Sequence, residues 1–222
     1  MENDIKRNEN FKINDRLIGA PKEKVFSFGD VLLIALIVVM LVFSVAQRVW
    51  ISPVNIDGNS MNKTIDDGDW LVMNKLAKPD YGDVVVIGIT GETNYIKRVI
   101  GLPGDTICIN DDVVYRKRKG ETEFTPLDEP YAYYSTAKKH EKYAATIVPE
   151  GKIFVLGDNR YESKDSRSPD VGTRDITAVI GVVPEWAIKR KSNITSYYNV
   201  VMKIDNFILG LFGAKADNGR NK

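Results

Sequence analysis

The sequence predicts a mainly β protein, with two antiparallel-sheet subdomains in a distorted barrel or sandwich after a single N-terminal transmembrane helix. Three observations predict it. One apolar run is as long as a bilayer is thick. Beyond it, short runs of alternating apolar residues are separated by Gly, Pro, Asp and Asn. No long helical period appears after residue 52.

The apolar run comes first in the chain. From Val31 to Ala46 every residue is apolar except Ser44, and Gln47-Arg48-Val49-Trp50-Ile51 follows. Val31 to Ile51 makes a helix of about 31 Å, matching the hydrocarbon thickness. Arg48 can snorkel and Trp50 suits the aromatic belt. Lys12, Arg16, Lys22 and Lys24 precede the helix, whereas the window after it holds only Arg48 and Lys63. The positive-inside rule then places the N-terminus in the cytoplasm. A cleaved secretory signal is the competing reading, but 30 polar-rich residues precede this segment and Ser44-Val45-Ala46 is a weak cleavage site.

The strand signals follow in order. Trp70–Met73, Asp83–Ile87, Tyr95–Ile100, Thr106–Ile109, Ile153–Leu156 and Val179–Val183 read as strands. Gly68-Asp69, Pro79-Asp80, Gly91-Glu92, Pro103-Gly104 and Pro149-Glu150-Gly151 read as turns. Residues 105–149 differ in composition: a hairpin turn at Asn110-Asp111-Asp112, a basic run Arg116–Lys119, then Tyr131, Tyr133, Tyr134 and Tyr143 among charges. From Val200 to Phe212 apolar residues mix with Lys203, Asp205 and Asn206, too interrupted to span a membrane; a docked or interfacial helix fits there.

Composition narrows the chemistry. The 222 residues carry 31 basic and 30 acidic side chains, so no nucleic-acid partner is indicated. The one cysteine, Cys108, lies in the strand-like Thr106–Ile109 and excludes an intramolecular disulfide and a cysteine zinc site. The one histidine, His140, sits among Lys and Tyr, and a serine–histidine triad would have to use it.

Ser60 stands nine residues beyond the apolar run, within roughly 30 Å of its end. A hydroxyl is a weak nucleophile until a base takes its proton, and lysine serves where burial lowers its pKa. Lys97 lies between apolar strand residues, with Tyr95, Lys97 and Val99 on one face and Ile96, Arg98 and Ile100 on the other. One of the two cations must therefore face the more buried side; a lysine snorkelling at a sheet edge is the alternative.

Gly58-Asn59-Ser60-Met61, Lys97-Arg98-Val99-Ile100-Gly101-Leu102-Pro103-Gly104-Asp105 and Gly157-Asp158-Asn159-Arg160 with Ser163-Lys164-Asp165-Ser166-Arg167 follow an N-terminal anchor in this order. Together with Asp66–Lys75, they resemble the type I signal peptidases, from about Phe28 to Trp186. The resemblance implies a membrane-bound serine endopeptidase, bacterial and at the outer face of the plasma membrane, that removes signal peptides from exported preproteins. It implies Ser60 as nucleophile, Lys97 as general base, Ser163 orienting the lysine, and Asp165 paired with Arg167 to hold that loop. It implies no metal or cofactor. Its partners would be preproteins with Ala-x-Ala cleavage sites, membrane lipid and a nearby export machinery.

The organisation this implies is a cytoplasmic tail at 1–28, an anchor at 29–51, and a catalytic β core at 52–104 and 150–190. An inserted β subdomain takes 105–149 and a C-terminal tail 191–222. If the chain is extended before Ser60, Val54, Ile56, Gly58 and Ser60 share a face. A peptide adding as a strand would then meet small pockets at Val54, Ile56, Met61, Ile65, Tyr95 and Ile96.

Two positions depart from the family pattern. Lys63 replaces the usual proline and creates Ser60-Met61-Asn62-Lys63, the Ser-x-x-Lys spacing of penicillin-binding proteins and β-lactamases, whose further motifs are missing. Gly58 takes the place of a serine that, in some members, helps hold the oxyanion, which leaves the Ser60 N–H as the firmest donor. Two other classes remain: a Ser-Lys autoprotease of the repressor type, and an inactive membrane-anchored β module that binds preproteins.

Overall fold

The computed structural model describes residues 27–88, 94–134 and 141–211. His140, the basic residues before the helix and the Gly91-Glu92 turn lie outside them. The chain separates into two units, Met1–Val45 and Ala46–Lys222.

Helix α1 spans Phe28–Trp50. Its start is a reciprocal cap: the Ser27 N–H donates to Asp30 and the Asp30 N–H donates to the Ser27 hydroxyl, satisfying two donors that the first turn leaves open. Phe28–Val45 has a mean hydropathy of 2.8 with none of it buried, and is long and apolar enough to cross a membrane.

The second unit is mainly β. Its larger antiparallel sheet contains β1 (Ile51–Asn55), β2 (Trp70–Asn74), β3 (Val84–Ile87) and β4 (Tyr95–Gly101), with later strands described below. The smaller sheet is built from β5 (Thr106–Asn110), β6 (Val113–Lys117), β7 (Thr125–Pro126) and β8 (Lys142–Ile147), in the order β7-β6-β5-β8. The chain then returns to the first sheet with β9 (Lys152–Leu156), β10 (Arg174–Asp175) and β11 (Val179–Val183). The larger sheet has the order β1-β2-β11-β3-β4-β9-β10, which pairs β4 on both sides, with β3 and with β9. The expected mainly β class with two antiparallel sheets is therefore what the chain forms.

Each of the six strands expected from alternation is present. The hairpin at Asn110-Asp111-Asp112 is present too. Asp111 and Asp112 have φ of 51° and 66°, the two left-handed residues that a tight hairpin matching strand twist requires. β1 contains Pro53, which the sheet tolerates because β1 is its edge.

The far end of the chain is helical although no long helical period marks it, and the helix starts earlier than the docked helix considered from Val200. Helix α2 (Glu185–Lys189) leads into α3 (Lys191–Leu211), and α3 packs on β2. Tyr198 stacks on Trp70 with centroids 5.1 Å apart, and the Trp70 N–H donates to the Thr195 hydroxyl at 2.8 Å. The helix begins nine residues before Val200 because these tertiary contacts, not a continuous apolar stripe, support its first turns.

Candidate active site

Ser60 lies in the connection from β1 to β2. The strand ends at Asn55, so the extended run considered for Val54 to Ser60 stops short of the serine. Gly58 has φ of 102° and turns the chain, and its N–H donates to Asp67 at 2.9 Å. Residues 59–65 then form one helical turn, closed by the Thr64 and Ile65 N–H groups on the Met61 carbonyl. Met61 and Ile65, four apart, point the same way and are 0% exposed in the core. Ser60 is the half-buried residue just before that peg.

Lys97 comes from the third position of β4. It is 3% exposed and Arg98 is 8% exposed, so a central strand buries both cations rather than one. Each has a different solution to burial. Arg98 forms a two-pronged pair with Asp158, with distances of 2.8 and 2.5 Å, and donates to the Gly82 carbonyl. Among the described residues Lys97 has no ion pair; its Nζ is hydrogen bonded to Ser60 Oγ at 2.7 Å and to the Ile96 carbonyl at 2.8 Å. Burial lowers its pKa from 10.5 to about 8, opposed in part by the charges of Asp165 and Asp158.

The loop after β9 backs the serine. The Asn159 N–H donates to the Ser60 carbonyl and Asn159 Nδ2 donates to the Asn59 carbonyl, both at 3.0 Å. Arg167 Nε and Nη2 grip Asp165 at 2.8 Å, and the Gly157 N–H donates to Asp165 at 2.9 Å. Arg167 also pairs with Glu141. Ser163 Oγ is buried with no hydrogen-bond partner, so a Ser163–Lys97 bond is not formed in this geometry. Its position is nonetheless tight against Gly157, which itself abuts the Ser60 carbonyl.

Of the residues expected to contact substrate, Ile56, Met61, Ile65 and Ile96 share one buried cluster against which Val54 packs. Tyr95 is half-buried, its ring centroid 5.4 Å from Lys97 Nζ. The Lys63 ammonium sits 4.0 Å over the Tyr133 ring. Several residues that shape this site were not singled out for it from sequence: Gly157 as a close-approach position, Asn159 as a support for Ser60, and Glu129. The visible signal for the last was the cluster of tyrosines at 131–134 among charged residues.

The model of the family described as signal peptidase, peptidase S26, matches residues 15–188. This chain belongs to that family. Signal peptidase IB of Staphylococcus aureus is 31% identical over 170 residues, covering 68% of this chain and 85% of that protein. Signal peptidase I T of Bacillus subtilis (strain 168) is 34% identical over 154 residues, covering 64% of this chain and 74% of that protein. A crystal structure of a signal peptidase I from Enterococcus faecalis V583 aligns with a TM-score of 0.41 at 30% identity, covering 49% of this chain and 98% of that one. Membership of the family makes this chain a type I signal peptidase, a serine endopeptidase that acts on signal peptides.

Proposed function

We propose that this signal peptidase works as a Ser60/Lys97 dyad. The observation that carries the reading is the 2.7 Å approach of Lys97 Nζ to Ser60 Oγ within a buried strand environment. With a pKa of about 8, roughly one lysine in ten is neutral at pH 7, against fewer than about one in a thousand at the ordinary value. Neutral Lys97 accepts the hydroxyl proton as Ser60 Oγ bonds to the scissile carbonyl carbon. The resulting ammonium returns that proton to the leaving amine as the C–N bond breaks. Lys97 then takes a proton from water as the water oxygen bonds to the ester carbon, and returns it to Ser60 Oγ as the acyl C–O bond breaks, which restores the free hydroxyl and the neutral amine. The Ser60 backbone N–H is the donor assigned to the oxyanion.

Ser163, Asp165 and Arg167 act as supports in this reading. Arg167 holds Asp165, Asp165 holds the Gly157 N–H, and this fixes the loop against Ser60. Ser163, packed against Gly157 beside the Ser60 carbonyl, is the hydroxyl assigned to orient Lys97. Val54, Ile56, Met61, Ile65, Tyr95 and Ile96 shape the floor beneath an extended peptide, favouring small side chains one and three positions before the cut.

The substrates are exported preproteins with Ala-x-Ala cleavage sites. α1 serves as a single-pass anchor with the N-terminus cytoplasmic, and the catalytic unit lies outside, near the export machinery. Chain length alone keeps Ser60 within roughly 30 Å of the anchor's end, where a signal peptide's cleavage site also emerges.

The Ser-x-x-Lys alternative is disfavoured because the Lys63 ammonium is stacked on Tyr133 while Lys97 sits on the hydroxyl. Cleavage of a preprotein by Ser60→Ala, Lys97→Ala and Lys63→Ala proteins tests the assignment. The first two lose activity and the third retains it; an inactive Lys63→Ala protein beside an active Lys97→Ala protein would sink it.

A further inference from the structure

Behind the nucleophile, the Gly157–Arg160 loop is held by a second segment, Glu129–Tyr134, from the connection between β7 and β8. Glu129 accepts hydrogen bonds from Arg160 Nη1 at 2.9 Å and Nη2 at 2.7 Å, and from the Tyr131 hydroxyl at 3.0 Å. The paired side chains are 1% and 7% exposed. Arg160 Nε donates to the Gly157 carbonyl at 3.0 Å, and its Nη1 also donates to the Tyr134 hydroxyl at 2.8 Å. The main chains join too: the Tyr133 N–H donates to the Asp158 carbonyl at 2.7 Å and the Arg160 N–H to the Tyr133 carbonyl at 3.0 Å. The Tyr131 ring covers the Arg98 guanidinium, 3.9 Å away, and Arg98 in turn holds Asp158.

A buried ion pair of this kind is a weak source of net stability, because desolvation offsets its attraction. What a two-pronged carboxylate–guanidinium pair does supply is a fixed distance and plane. Here the fixed object is the loop whose third residue, Asn159, donates to the Ser60 and Asn59 carbonyls. We propose that Glu129 is a positioning residue for peptide cleavage: through Arg160 it clamps the Gly157–Arg160 loop, and so holds Ser60 at hydrogen-bonding distance from Lys97. The proposal rests on the Ser60/Lys97 reading.

The test uses the full chain in detergent, with kcat, KM and the pH profile of preprotein cleavage measured alongside thermal unfolding. Glu129→Gln keeps the shape and removes the charge; Arg160→Lys keeps the charge and removes the fork. Each is expected to lower kcat by about tenfold or more, since small displacements of reacting groups are costly, with KM little changed. The pH midpoint is expected to rise from about 8 toward the ordinary lysine value, because a loosened loop admits water to Lys97. The groups facing that amine are the Ser60 hydroxyl, the Ile96 carbonyl, the Tyr95 ring and the carboxylates of Asp158 and Asp165.

If either variant fails to fold, Tyr131→Phe removes only one donor to Glu129 and is expected to shift kcat and midpoint the same way by a smaller amount. Folded variants with wild-type kcat and midpoint, or with lowered stability alone, would overturn the proposal. A wild-type profile with no lysine limb would instead overturn the dyad, so the two failures are distinguishable.

Discussion

A β-carbon on Gly157 would stand 2.5 Å from the carbonyl oxygen of Ser60. It would also collide with the Ser163 hydroxyl, so neither backbone nor side chain offers room on that side. Real contacts do not become this short: the Ser163 Oγ and Cβ would lie at 2.2 and 2.4 Å, and the Ser60 main chain just beyond them. Gly157→Ala therefore pushes Ser60 away from Lys97. The expected outcome is at least a hundredfold loss of cleavage, with a stability loss of about 1–3 kcal/mol typical of overpacking. Steady-state kinetics and thermal unfolding of the same preparation check both parts.

Lys97 is costly to the fold for the reason that it is useful. Its pKa in the folded chain, about 8, is below the ordinary 10.5 of the unfolded chain. Between those values the unfolded state binds more protons, so this group's contribution to stability improves as pH rises through that window and is worst below it. Lys97→Met keeps most of the volume and removes the buried charge. It is expected to abolish activity yet raise stability at pH 7 by roughly 1–3 kcal/mol, the gain shrinking toward pH 10. Denaturant unfolding of both proteins at pH 7 and pH 10 checks it; a Lys97→Met protein less stable at pH 7 than at pH 10, relative to wild type, would contradict it.

Arg98 behaves in the opposite way. It is matched by Asp158 inside the protein, and removing one partner leaves the other buried and uncompensated. Asp158→Ala is expected to destabilise by about 3–5 kcal/mol. Arg98→Met with Asp158→Leu, removing both charges, is expected to recover much of that loss in chemical denaturation while leaving the enzyme impaired, since the loop beside Ser60 loses its tether.

How much of this was legible in the chain differs by element. Strands such as β4 and β9 announce themselves because both of their faces are apolar or paired. β1 did not, because Pro53 interrupts its alternation and only its edge position makes that acceptable. β8 was hidden by its polarity; its outer residues are exposed and its existence depends on pairing with β5. The start of α3 depends on Trp70, which is 128 residues from its stacking partner Tyr198.

The candidate site divides along the same line. Ser60 and Lys97 were each marked by local sequence, which placed one of Lys97 and Arg98 on a more buried face but did not show that both are buried. Arg98 is made tolerable inside by Asp158, sixty residues away in the chain. Glu129 was invisible for the same reason: its meaning comes from Arg160, on another loop. The face from Val54 to Ser60 could not be read as extended, because Gly58 adopts a left-handed φ and the chain then makes a helical turn.

The most direct test of the account is the pH dependence of kcat/KM for preprotein cleavage by the full chain in detergent, from pH 6 to pH 10. In the proposed dyad only neutral Lys97 accepts the Ser60 proton, so activity is predicted to rise about tenfold per pH unit below the midpoint and to level off above about 8. Activity that is flat across this range, or that rises only near the ordinary lysine value of 10.5, would contradict Lys97 as the base.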